Sequence, residues 1–223
     1  MNDVKLIELK EDIMADNLKV AASVRDRLRD QKTMLINLMS SPGSGKTTFI
    51  IKTAEHLAGR LRLGVIEADI DSKVDAEKVA AAGVPAIQLR TGGFCHLDAT
   101  MVTQGINEFA ADEFDLLIIE NVGNLVCPAE FDTGAHRNVM LLSIPEGDDK
   151  VLKYPLMFSV CDVLLVSKMD YMPLSDFDMA ALRARVRTLN PRIKIFEISS
   201  KTGAGIGDWV AWLTNEAEEF CCA

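Results

Sequence analysis

The sequence predicts an α/β fold, a mostly parallel sheet with helices on both faces, and three observations carry that prediction. Short runs that are apolar throughout recur along the chain, as expected of strands buried on both faces. Stretches with helical spacing separate them, the alternation that builds parallel sheets. Between the first such run and a helical stretch stands a glycine-rich turn, Ser41-Pro-Gly-Ser-Gly-Lys-Thr-Thr48.

The elements follow in order. Residues 11–30 read as a helix whose apolar stripe, Ile13, Leu18, Val20, Val24 and Leu28, runs among many charges and packs on the outside of the sheet. Met34 to Met39 is a buried strand and Thr48 to Leu57 a helix. Arg62 to Ala68 is a strand ending at Asp69. A short helix, Val74 to Ala82, stops at Gly83. Pro85 to Leu89 is a strand, Thr91 to His96 a loop, and Leu97 to Ala110 a helix with Asp98 in its first turn. Leu116 to Ile119 is a fully buried strand ending at Glu120. Val139–Ile144, Val163–Val166 and Ile193–Ile198 are three more strands, with helices near 175–189 and 205–219. In such a sheet the ligand lies beyond the carboxyl ends of the strands, and every motif below falls there.

Composition narrows the function classes. The chain has 223 residues, 48% hydrophobic and 26% charged, enough for one sizeable core. A net charge of −9 argues against non-specific nucleic-acid binding. No run reaches the length of a membrane span and the first residues lack a signal-peptide core, so a cytoplasmic protein without membrane contact is expected. Five cysteines in such a chain point to metal or redox chemistry rather than a disulfide frame.

A glycine-rich turn ahead of a helix presents a row of backbone N–H groups to an anion. Gly43, Ser44, Gly45, Lys46, Thr47 and Thr48 form such a P-loop, with Lys46 for the β- and γ-phosphates and the Thr47 hydroxyl for Mg²⁺. Ser40 stands where the pattern usually has its first glycine. Ser167-Lys168-Met-Asp170 follows a strand and resembles the guanine-reading Asn-Lys-x-Asp of GTPases. Asp170 would accept from N1–H and the exocyclic amine of guanine, which adenine cannot satisfy. Lys168 would lay its stem over the base. Ser167 is shorter than the usual asparagine and lacks its amide. Ser199-Ser200-Lys201 looks like the second base-contacting loop of that class. Glu120 is the expected acid toward Mg²⁺, directly or through water. Asp69 and Asp75 flank the first switch; one orients the attacking water and the other holds Mg²⁺, and the sequence leaves open which. Asp71 reads as a solvated loop charge. No arginine finger stands out, so slow intrinsic hydrolysis is expected.

Cys95, His96 and Cys127 lie in loops at the same edge, a thiolate–imidazole set suited to Zn²⁺ or Ni²⁺. Three ligands leave a tetrahedron open, to be closed by water, another group or a second subunit across a two-fold axis. Cys161 reads as an inert buried thiol, and Cys221 and Cys222 as a disordered end. His56 should face solvent and His136 should be structural rather than a minor ligand.

The stretches Thr91-Gly-Gly-Phe-Cys-His-Leu-Asp-Ala99, Glu120-Asn-Val-Gly-Asn-Leu-Val-Cys-Pro-Ala129 and Glu146-Gly-Asp-Asp149 resemble those of the HypB family, GTPase accessory proteins for nickel insertion into nickel–iron hydrogenases. The resemblance spans roughly residues 10 to 215. It implies a SIMIBI-like G domain with GTP or GDP, Mg²⁺, and Ni²⁺ or Zn²⁺ at Cys95, His96 and Cys127. It also implies GTP-dependent homodimerisation, with the hydrogenase large subunit and another nickel-maturation protein as partners. Residues 1–32 would be an N-terminal helical segment packed on a 33–220 GTPase domain, single overall. Thr100 stands where some relatives carry a further histidine, and the N-terminal cysteine-rich and histidine-rich nickel tracts of others are absent. Lys153 is a contact across the dimer or, more simply, a surface lysine. Three other readings compete. Urease-type nickel delivery usually carries Cys-Pro-His, whereas Cys95 and His96 are adjacent. A nucleotide-switched metal binder would leave GTP intact, and an ATP-dependent kinase conflicts with Asp170.

Overall fold

The structure, a computed structural model, describes residues 9–222; residues 1–8 of the N-terminal segment and Ala223 lie outside them. Helix α1 spans Leu9–Asp30 and leads into β1 (Met34–Ser40) and α2 (Lys46–Leu57). There follow β2 (Leu63–Asp69), α3 (Val74–Ala81), β3 (Ala86–Arg90), α4 (Ala99–Glu108) and β4 (Leu116–Glu120). A short helix α5 (Cys127–Glu130) precedes β5 (Arg137–Ser143). Two more, α6 (Lys150–Lys153) and α7 (Pro155–Val160), precede β6 (Val163–Ser167). The chain then runs through α8 (Met179–Leu189), β7 (Lys194–Glu197) and α9 (Ile206–Cys222). The seven strands form one parallel sheet in the order β3-β2-β4-β1-β5-β6-β7.

All seven residues of β1 are buried, and their alternation assigns the two faces of the sheet. Met34, Ile36 and Leu38 pack with Phe49, Ile50 and Leu57 of α2 and with Trp209, Val210 and Leu213 of α9. On the other face Leu35 joins Val24 and Leu28 of α1 and Val102 and Ile106 of α4. Met39, on that same face, lies with α7 and α8. Helices therefore cover both faces, as the apolar strands predict.

Boundaries moved where capping or packing overrode the pattern. Asp98 is the N-cap of α4 rather than a first-turn residue, its carboxylate accepting from Met101 N at 2.8 Å. In the stripe of α1 Val24 and Leu28 are buried as expected, but Leu18 is 56% exposed while Asn17 and Ala21 are buried; the side chain of Ile13 lies outside those described. Asn17 takes an inward place because its amide is used twice, donating to Asp132 O and accepting from Ala99 N, both at 2.9 Å. Cys221 and Cys222 continue α9 rather than forming a disordered end, and the Cys221 thiol lies 3.1 Å from Lys32 O. The short helices α5 to α7 were not legible, since four to six residues give too little periodicity.

His136 is structural. Its Nδ1 accepts from Leu35 N at 2.9 Å, its Nε2 faces Arg25 O at 3.4 Å, and its ring packs on Phe220. Burial pulls its pKa down to about 4. A proton on Nδ1 would confront the Leu35 N–H, so the fold holds the ring neutral. The unfolded chain, with an ordinary histidine pKa, binds the extra proton first as pH falls. The stability from neutral His136 is present above about pH 6.5 and is lost as pH falls toward 4. Urea melts of wild type and His136→Gln at several pH values should show the difference in stability between them shrinking across that window.

Candidate functional site

At the carboxyl end of β1 the chain turns sharply into α2. Gly43 and Gly45 adopt positive φ, 72° and 103°, and Gly45 is the N-cap of α2. The turn aims the N–H groups of the first helical residues into a cleft of about 470 Å³. Ser40 explains its departure from glycine. Its hydroxyl donates to Ser41 O at 2.7 Å and accepts from Ser44 Oγ at 2.6 Å and Lys46 Nζ at 3.1 Å. The side chain therefore braces the turn and poises the lysine.

Strand β4 lies beside β1 and delivers Glu120 to the same cleft. Thr47 Oγ1 donates to Glu120 Oε1 at 3.1 Å, and Lys46 Nζ lies 3.9 Å from that oxygen. Burial raises the Glu120 pKa, and Lys46 opposes the rise. Asp69 and Asp75 also line the cleft but are engaged differently. The Asp69 carboxylate accepts from the backbone of Asp71 and Ser72, at 3.0 and 2.7 Å, and so folds the first switch. Asp75 pairs with Lys78 at 2.8 Å at the start of α3. Asp71 is exposed, as expected of a solvated charge. No arginine lines this cleft among the described residues.

A second cleft of about 180 Å³ adjoins the first, lined by Thr48, Ser167, Lys168, Asp170, Ser200 and Lys201 among others. The short Ser167 does reach the P-loop, its hydroxyl donating to Ser44 O at 3.2 Å. Lys168 has φ of 58° and stretches across the turn, donating to Gly43 O at 2.8 Å. Asp170 accepts from Ser199 Oγ at 2.7 Å, and Lys201 Nζ stands 4.0 Å from its other oxygen. The two polar loops therefore meet over one carboxylate.

Cys95, His96 and Cys127 converge without help from another chain: their ligand atoms all lie within 4.8 Å of one another, half-buried. The two sulfurs are 3.0 Å apart, and His96 Nδ1 is 4.0 Å from Cys95 Sγ. Cys127 is not in a loop as expected but opens α5, with Pro128 next to it. His96 stacks on Phe131 at 3.9 Å, and burial lowers its pKa, which favours the neutral imidazole a metal needs. The hydrogen bond with Cys95 raises the Cys127 pKa, and burial and the neighbouring charge of Cys95 add to the rise. This donor set suits a borderline divalent ion. Cys161 is buried and its thiol is pushed well up by desolvation, so it is inert. His56 is exposed, and Lys153 is a surface lysine paired with Asp149.

Sequence reasoning missed the residues that join these parts. Asn121, fully buried, accepts from Leu97 N at 3.3 Å and donates to Asn37 at 3.0 Å. Asn124 donates to Cys95 O at 3.3 Å. Gly123 lies against the P-loop, where an added Cβ would sit 3.0 Å from Pro42 Cα. Glu67 of β2 was missed too, although a glutamate inside an apolar strand is itself a signal. It is 2% exposed and lines the cleft, and burial beside Glu120 pushes its pKa up to about 10.

Residues 34–197 match the CobW/HypB/UreG nucleotide-binding domain. The chain belongs to this family. Hydrogenase maturation factor HypB of Azotobacter chroococcum mcd 1 is 44% identical over 216 residues, covering 97% of this chain and 71% of the relative. Among solved structures, HypB from Archaeoglobus fulgidus has a TM-score of 0.84 at 38% identity, covering 91% of this chain and 99% of that one. HypB from Helicobacter pylori in complex with nickel has a TM-score of 0.86 at 39% identity, covering 92% and 96%. Family membership makes this a P-loop nucleotide-binding fold, and no helix among the described residues is long and apolar enough to cross a membrane.

Because Pro42 cannot yield cheaply to a new methyl group, Gly123→Ala should push the Glu120–Cys127 loop off the P-loop. Its expected signature is weaker triphosphate binding by fluorescent-nucleotide titration, with the circular dichroism spectrum kept.

Proposed function

We propose that this chain hydrolyses GTP to GDP and phosphate and delivers nickel during maturation of nickel–iron hydrogenases. The supporting observation is that one loop, Glu120–Cys127, begins in the phosphate cleft and ends at a metal ligand. It is also tied to Cys95 through Asn124 and to Leu97, next to His96, through Asn121. Nickel is the cargo in this reading, and the solved HypB from H. pylori in complex with nickel supports that choice.

Hydrolysis needs positioning and charge neutralisation more than covalent chemistry. The backbone of Gly43 to Thr47 holds the phosphates, with Lys46 at the β- and γ-oxygens and Thr48 reaching toward the base side. Thr47, Glu120 and Asp69 would hold Mg²⁺, which supplies positive charge to the phosphate oxygens when bound. The pairing of Thr47 with Glu120 fits that role. Asp75, free of backbone contacts, is assigned to the attacking water. Water bonds to the γ-phosphorus as the bond to the GDP oxygen breaks. With no arginine in the cleft the intrinsic rate is slow. Asp170, Lys168, Ser200 and Lys201 read the guanine.

The γ-phosphate pulls on the loop after Glu120, and Cys127 moves with it. In the GTP state two chains pair, with Cys95, His96 and Cys127 facing across the interface, and metal is captured; hydrolysis releases nickel to a partner such as the hydrogenase large subunit. Residues 33–220 serve as the GTPase domain and α1 packs upon it. The protein works in the cytoplasm.

Nickel affinity should therefore differ between GDP and a non-hydrolysable GTP analogue when measured by calorimetry; equal affinities and equal oligomeric state in both would defeat the coupling. Cys127→Ala should lose metal while keeping nucleotide. Asp170→Ala should weaken GTP binding by about 1–3 kcal/mol, roughly 5- to 150-fold, and erase the preference over ATP in a competition assay.

A further inference from the structure

Glu67 and Glu120 are register partners on the adjacent parallel strands β2 and β4. They project from the same face of the sheet at the same level. Both are at least nine-tenths buried, 2% and 5% exposed, and both line the phosphate cleft. Each carries one carboxyl oxygen, Oε1 of Glu67 and Oε2 of Glu120, without a hydrogen-bond partner. Such an orphaned oxygen is rare in a native interior and calls for a ligand. The only cation set against either carboxyl among the described ion pairs is Lys46, at 3.9 Å from Glu120. Glu67 and Glu120 also bond to each other, and a hydrated divalent cation can take the place of the proton such a carboxyl pair shares, since hard cations take oxygen donors and Mg²⁺ keeps several of its waters. Asp69, by contrast, has its Oδ1 already committed to two backbone N–H groups.

We infer that Glu67 is a further carboxylate of the Mg²⁺–nucleotide site, beside Glu120 and Asp69, holding the cation's water shell from within β2 while Glu120 and Thr47 hold it from the β4 and P-loop side. The inference rests on the GTPase reading above and extends it by one residue. Its chemical ground is geometry: the register of β2 on β4 leaves a free oxygen on each acid, and both acids open on the cleft that Thr47 lines. Glu67 thus acts on the cation rather than on the base or the phosphates.

Mn²⁺ serves as the probe, because its electron paramagnetic resonance signal reports free and bound cation directly. The measurements are Mn²⁺ affinity in the presence of GDP, and GDP affinity in excess chelator, for wild type, Glu67→Gln and Glu67→Asp. The expected result is a loss of about 10- to 100-fold in Mn²⁺ affinity for Glu67→Gln, with GDP affinity in chelator unchanged. Loss of a purely structural strut would not separate the two readouts. Should Glu67→Gln fail to fold, Glu67→Asp, which keeps the charge and shortens the arm, decides the matter by the same comparison. Wild-type Mn²⁺ affinity in the folded variant would overturn the inference while leaving the GTPase reading intact. Failure of the wild type itself to retain Mn²⁺ with GDP would overturn both.

Discussion

The parallel pairing of β1 with β4 is the constraint on which the rest depends. It brings the end of one strand, the P-loop, beside the end of the other, Glu120, with Leu38 and Glu120 in register. Lys46 and Thr47 then meet Glu120 across that seam. Everything beyond Glu120 inherits its position from this contact, including the packing of Gly123 on Pro42 and the placement of Cys127. β2 pairs on the other side of β4 and adds Glu67 and Asp69. The cleft is therefore a product of strand order, since its acids come from separate parts of the chain, Glu67 and Asp69 from β2 and Glu120 from β4.

A buried polar ladder reinforces the seam. Asn138 of β5, Asn37 of β1 and Asn121 after β4 are linked by amide hydrogen bonds of 3.2 and 3.0 Å. Asn121 passes the link to Leu97, one residue after His96. Polar side chains in this place would be costly if unpaired, and their mutual satisfaction fixes one arrangement of strands and loops. The same ladder runs from the core to the edge of the thiolate–imidazole cluster. The phosphate-side loop and the segment that carries Cys95 and His96 are therefore joined by hydrogen bonds as well as by the chain.

Much of this was readable from residue types and spacing. The P-loop, the acid after β4, the polar loops at Ser167–Asp170 and Ser199–Lys201 and the Cys-His-Cys set each carry a local signature, and the apolar runs placed them all at the carboxyl ends of strands. Less was readable where a residue's role comes from what faces it. Leu18 looks like a core residue and lies in solvent, while Asn17 is buried because Asp132 and Ala99 stand opposite. Ser167 looks too short to bridge, but the path of the chain brings Ser44 O within its reach. Glu67 reads as one acid in an apolar strand until β4 sets Glu120 against it.

The sequence by itself determined the alternation of strand and helix, the P-loop turn and the presence of two thiols and an imidazole at one edge of the sheet, because these rest on hydrophobic period, backbone freedom and side-chain chemistry that act locally. Only the tertiary structure decided that one segment runs from the P-loop cleft to the Cys95–His96–Cys127 group, that two glutamates share one face, and that Asn121 and Asn124 tie this segment to the Cys95–Leu97 stretch. Those facts depend on strand order and register, which bring together residues far apart in the chain, and no short-range pattern encodes such a meeting.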